Sequence, residues 1–124
     1  MGRKELEMGR ILQIRVMAYT YSEDDVQERW PGLYRLAFGN GTEGPAGRDR
    51  GVLELIRILE DKQKFADLDN EIREALKQPV QELGQEVLKL ESFLADRNPQ
   101  EADRMSYVLE DMLDNLEGKI SPLL

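Results

Sequence analysis

The side chains that can do chemistry in this chain are carboxylates, and two pairs of them have a useful spacing. Glu71 and Glu74 stand three residues apart, as do Asp111 and Asp114. On a helix each pair lies one turn apart on one face, and two pairs on facing helices can share an octahedral magnesium ion. These four residues are the candidate metal ligands of a hydrolase. Other chemistries are closed off by composition. The chain has no Cys and no His. It therefore lacks thiolate metal sites, cysteine nucleophiles, serine–histidine triads and two-histidine iron sites. No cofactor is expected, and the balance leans away from an enzyme without excluding one. Asp111 and Asp114 flank the core-type residues Met112 and Leu113, which suits a solvated helix edge equally well.

The two E-x-x-E/D-x-x-D pairs faintly resemble those of the all-α nucleotide pyrophosphohydrolases, a resemblance that implies an all-α fold and magnesium-dependent hydrolysis of nucleotides. It covers four residues. The second pair has Asp where that family has Glu, and the gap between the pairs is longer than the resemblance leads one to expect. Two further motifs read as local structure. Gly39-Asn40-Gly41-Thr42-Glu43-Gly44 satisfies G-x-G-x-x-G, but a dinucleotide site needs a strand before it and a helix after it. Here helix-like sequence precedes it and Pro45 follows, so a flexible linker is expected. Asp67-Leu68-Asp69-Asn70-Glu71 opens like a calcium loop, yet Ile72 and Gln78 stand where Gly and a bidentate Glu are needed. That stretch reads as an acidic helix N-terminus.

Aromatic residues form the other cluster. Tyr19, Tyr21, Trp30, Tyr34 and Phe38 fall within twenty residues, with Arg29 and Arg35 among them. Trp, Tyr and Arg are enriched at binding hot spots, so these five aromatics are candidate interaction residues. Ordinary core packing is the competing reading, since aromatics bury large areas. A pocket lined by Tyr19, Trp30 and Tyr34 would suit a small-ligand sensor. The acids Glu101, Asp103, Glu110, Asp111, Asp114 and Glu117 form a third candidate, an acidic docking face, with a solvated outer face as its plain alternative.

Charge bears on the partner. The net charge is −8. Residues 1–51 carry eight basic and eight acidic side chains, while residues 52–124 carry nine and seventeen. Nucleic acids call for a basic footprint, so none is expected as partner; a protein partner or self-association is. The N-terminus is charged rather than apolar, and no stretch is apolar enough to span a bilayer. No membrane association and a cytoplasmic location are expected.

The elements that position these residues are helical. Leu76, Val80, Leu83, Val87, Leu90 and Leu94 recur at alternating spacings of four and three, with Leu88 and Phe93 widening the apolar face. Asn98-Pro99 is a stop followed by a cap and a first-turn proline. A second seam then runs Ala102, Met105, Leu109, Met112, Leu116, with Gly118 as its C-cap. The short connector predicts an antiparallel αα-hairpin over 80–97 and 99–117. Upstream, 51–62 and 67–78 read as helices, with a kink or break at Pro79. Residues 22–38 read as one kinked helix or two short ones, divided at Pro31. Ile11–Tyr21 is ambiguous between helix and strand.

The sequence thus predicts a single domain over 1–124, an all-α antiparallel bundle of four or five helices with a Gly-rich flexible loop at 39–51. The alternative is an α+β fold whose one strand, at about 11–19, pairs across a dimer. The expected function is a non-enzymatic protein-interaction or structural module. A magnesium-dependent nucleotide hydrolase and an aromatic-pocket sensor are the alternatives.

Overall fold

A computed structural model describes residues 23–39 and 50–124. These form α1 (Glu23–Arg29), α2 (Pro31–Phe38), α3 (Val52–Phe65), α4 (Asn70–Ala95), α5 (Pro99–Ile120) and a terminal 3₁₀ turn (Ser121–Leu123). The class is all-α, and the described residues contain no strand. The ambiguous segment 11–19 and the glycine-rich 40–49 lie outside the described residues. No helix among the described residues is long and apolar enough to cross a membrane.

The hairpin of α4 and α5 is the frame. α3 packs on α4, and α2 packs on both α3 and α5. Leu76, Val80, Leu83 and Leu90 of α4 meet Ala102, Met105, Leu109, Leu113, Leu116 and Ile120 of α5 in one core, completed by Leu55, Ile56 and Leu59 of α3. The connector is built as expected at its second half: the Asn98 side chain accepts from the Glu101 N–H at 3.4 Å, and Pro99 opens α5. Its first half is a Schellman closure. The Asn98 N–H donates to the Phe93 carbonyl at 2.8 Å and the Arg97 N–H to the Leu94 carbonyl at 3.1 Å, with Arg97 at φ 58°. At the other end of the bundle the Arg73 guanidinium closes the C-terminus of α3, donating to the carbonyls of Gln63 (2.6 Å) and Ala66.

Three local expectations are corrected. Of the kink or break expected at Pro79, the break is absent: α4 runs through it. An interior proline costs a helix about 3 kcal/mol. Ile72 and Leu76 before it, and Val80 and Leu83 after it, are buried in the same core, and each contributes roughly 1.5–3 kcal/mol of burial. Packing on both sides of the proline outweighs the lost backbone bond. Leu88 does not widen the buried face. It lies about 160° round the helix from Leu90 and is 66% exposed. Gly118 does not cap α5 either. Ile120, fully buried beyond it, carries the helix two residues further.

Pro31 divides 22–38 into two helices, and Trp30 is the joint. Its backbone (φ −127°, ψ 64°) is extended enough to turn the chain, while its N–H still donates to Val26 and its carbonyl accepts from Tyr34.

Candidate interaction site

The acidic residues of α5 hold the chain's own N-terminal elbow. Glu110, Asp114 and Glu117 stand at i, i+4 and i+7, one edge of a helix. Asp114 takes the Arg29 guanidinium side-on, Nε to Oδ1 at 3.0 Å and Nη2 to Oδ2 at 2.9 Å. Arg29 Nη1 reaches Glu110 at 3.3 Å. Asp114 Oδ1 also accepts the Trp30 indole N–H at 2.8 Å, and the guanidinium lies 5.2 Å from the Trp30 ring centroid. One turn on, the two oxygens of Glu117 accept the backbone N–H groups of Gly32 and Leu33, each at 2.9 Å. Those are the second and third residues of α2, whose donors no intrahelical carbonyl can satisfy. Trp30 offers no side-chain cap, so Glu117 caps α2 from another helix. Gly32 is what lets the carboxylate in. A Cβ there would lie 2.8 Å from Glu117 Oε2 and 3.0 Å from Leu124 Cδ1.

The Arg29 hydrogen bond holds the Asp114 carboxyl below the usual aspartate range; partial burial opposes it and the Trp30 N–H assists. The same partnership pushes the Arg29 guanidinium upward. A carboxyl depressed by folding stabilises the fold fully above its unfolded value, about 3.9. That contribution is lost as pH falls through the lower folded value. Because both partners are substantially exposed, its size at neutral pH is about 0.5–1 kcal/mol. Asp114→Asn keeps one acceptor oxygen for the Trp30 and Arg29 Nε N–H groups, removes the charge, and sets an amide NH2 where the carboxylate accepts from Arg29 Nη2. Urea titrations are expected to show that deficit at pH 7, and to show it shrinking steadily as the medium is acidified below about pH 3.9. A deficit constant across that range would disprove the ion-pair account.

The remaining carboxylates do not gather. Glu71 and Glu74 are exposed on α4, Asp111 is exposed on α5, and Asp114 is engaged by Arg29 and Trp30. Among the described residues no three acidic side chains come together in a way that could hold a metal ion. Glu101 binds Arg104 on its own helix, and Asp67 and Asp69 lie exposed in the turn before α4.

The aromatic candidates divide. Trp30 is 3% exposed and Phe38 fully buried. Tyr34 is half-buried and meets Phe38 edge-on, centroids 5.0 Å apart. Arg50, itself buried, lies 5.5 Å over the Phe38 ring and donates to the Tyr34 hydroxyl at 3.5 Å. In this arrangement the three form a packed unit joining α2 to the start of α3. Tyr19 and Tyr21, and with them the full sensor pocket, lie outside the described residues, as does most of the G-x-G-x-x-G stretch.

A different surface is left presented to solvent. On α4, Gln78, Gln81, Gln85, Leu88, Ser92 and Ala95 are all exposed. Their spacings are three, four, three, four and three, the repeat of a helix-packing seam. The row runs about 27 Å on the side opposite the core seam, and none of its members is charged. Every charged exposed residue of α4 lies beside it or before it: Glu71, Glu74, Lys77, Glu82, Lys89 and Glu91.

Sequence reasoning missed both the Glu117 cap and this outer row, though each had a signal. Pro31-Gly32 opens a helix after Trp30, which cannot cap it, so an acceptor must come from elsewhere. The outer row shows once the heptad pattern is counted for uncharged residues rather than apolar ones.

Compared with models of known protein families, with curated proteins and with solved structures, the chain matches none.

Proposed function

We propose that the chain is a non-catalytic protein-interaction module whose contact face is the outer side of α4. The observation that supports this is the uncharged row from Gln78 to Ala95, with Leu88 66% exposed within it. In a chain with 34% charged residues, an exposed heptad row free of charge is what an interface core requires, since such cores are depleted of charged side chains. A cytosolic setting and a protein rather than nucleic-acid partner belong to the same proposal, the latter following from the net charge of −8.

The test is affinity capture from native cytosol with the full chain and with Leu88→Asp. Position 88 is exposed, so the variant is expected to melt within about 0.5 kcal/mol of the parent. Its captured proteins should fall about tenfold or more, the loss that 1.4 kcal/mol at a contact produces. Equal capture by parent and variant would remove α4 as the contact face.

A further inference from the structure

We propose that α1 is a clasp that opens as a unit of its own, hinged at Trp30 and fastened to α5 by Arg29, while α2–α5 remain folded. The inference goes beyond the reading of α4 as a contact face and does not rest on it. Length, burial and charge set α1 apart. It has seven residues, short of the roughly 12–15 that an isolated helix needs in water, so it is helical only while docked. Among its described side chains Val26 is buried, and Asp24, Asp25, Gln27, Glu28 and Arg29 are exposed. Its sequence carries four acids and one base. It therefore brings net negative charge to a bundle edge that already holds Glu110, Asp114 and Glu117. Arg29 is what draws the two together, at 2.9 Å from Asp114 and 3.3 Å from Glu110. Those are half-exposed ion pairs, which hold weakly and break readily.

The parts beyond the hinge keep their own grip. The Trp30 ring is buried, and its indole N–H is bound to Asp114 Oδ1 at 2.8 Å, the oxygen that Arg29 Nε also uses at 3.0 Å. Arg29 can leave that carboxylate and the indole stays. α2 does not lean on the last turn of α1 either. Pro31 has no N–H to give, and the N–H groups of Gly32 and Leu33 are taken by Glu117. Leu33, Ala37 and Phe38 hold α2 in the core. Opening thus gives up the burial of Val26, the Arg29 contacts and, as α1 unwinds, the bond from the Trp30 N–H to the Val26 carbonyl, 3.0 Å long. Residues 1–22 join the described bundle at Glu23, so opening moves their point of attachment with it.

Native-state hydrogen exchange on the full chain tests this. The amides of Glu28, Arg29 and Trp30 are expected to be protected at most about a thousandfold, the ceiling set by one buried valine and an exposed ion pair. Those of Leu109 and Leu113, in the middle of α5, should be protected at least about tenfold more. In urea below the unfolding midpoint the α1 amides should keep their rate, because opening uncovers one apolar side chain. The α5 amides should speed up as global unfolding takes over. Arg29→Gln should speed the α1 amides about two- to fivefold, and Val26→Ala about tenfold or more. Three results overturn the proposal. α1 amides as slow and as urea-dependent as those of α5 would tie its opening to unfolding of the whole bundle. α1 amides without protection would leave no closed clasp. An unchanged α1 rate in Arg29→Gln would remove Arg29 as the fastening.

Discussion

Trp30→Ala is expected to cost about 3–5 kcal/mol, the range for removing a buried aromatic, and Trp30→Phe about 1.5–3 kcal/mol. The difference follows from what the indole does. Its ring fills the joint between α1 and α2 at 3% exposure, and its N–H satisfies one oxygen of Asp114 at 2.8 Å. Phenylalanine keeps most of the ring and loses the hydrogen bond, which is worth about 1.5–3 kcal/mol where the acceptor is charged. Alanine loses both and opens a cavity in the buried cluster to which Val26 and Leu33 also belong. Domains of this size have about 5–15 kcal/mol in all, so the alanine variant should approach the unfolding threshold. Trp30 is the sole tryptophan, so the comparison is made by urea denaturation followed by far-ultraviolet circular dichroism. Equal and small losses for both substitutions would show that the joint is not held by the ring.

Glu117→Ala carries the second largest expected loss, about 2–3 kcal/mol. It removes a charged acceptor from two helix N–H groups at once; a single cap is worth about 1 kcal/mol, and a charge-assisted bond roughly twice a neutral one. Glu117→Gln, which keeps one acceptor, should cost about half as much. Gly32 supplies the internal control. In the parent, Gly32→Ala drives a Cβ to 2.8 Å from Glu117 Oε2 and should destabilise by about 1–3 kcal/mol as overpacking. In the Glu117→Ala background the carboxylate is gone and only the terminal methyl of Leu124, 3.0 Å from the added Cβ, remains to turn aside, so the penalty should shrink to near zero. Chemical denaturation of the four chains gives the coupling directly. Simple additivity would show that carboxylate and glycine do not share a site.

The parts of the fold legible in the sequence are those carried by local signals. The seam from Leu76 to Leu94, the Asn98-Pro99 start of α5 and the seam from Ala102 to Leu116 all appear in the structure because periodicity and capping act within a few residues. Local rules misjudged Pro79 and Gly118, where burial of Val80 and Ile120 farther along decides whether the helix continues. The acids of α5 were visible as a row, but their role was not. Whether Asp114 faces solvent, a cation or a tryptophan depends on Arg29 and Trp30, 85 and 84 residues away. Trp30 and Phe38 likewise read as core aromatics or as contact aromatics until α2 is placed against α3 and α5.

The long-range cap has a consequence for how the polypeptide is made. Gly32 leaves the ribosome 85 residues ahead of the Glu117 that completes its helix, and Leu33 is only slightly nearer. Throughout that interval the first turn of α2 has no acceptor of its own, and the Trp30 indole N–H has no Asp114 to donate to. Domains built from local contacts can settle as they emerge. Here α2 can already pack on α3, but its first turn is capped only once the final turns of α5 are available. A chain shortened before Glu117 would leave the N–H groups of Gly32 and Leu33 without their acceptor, and that is the form in which quality-control proteases would find it.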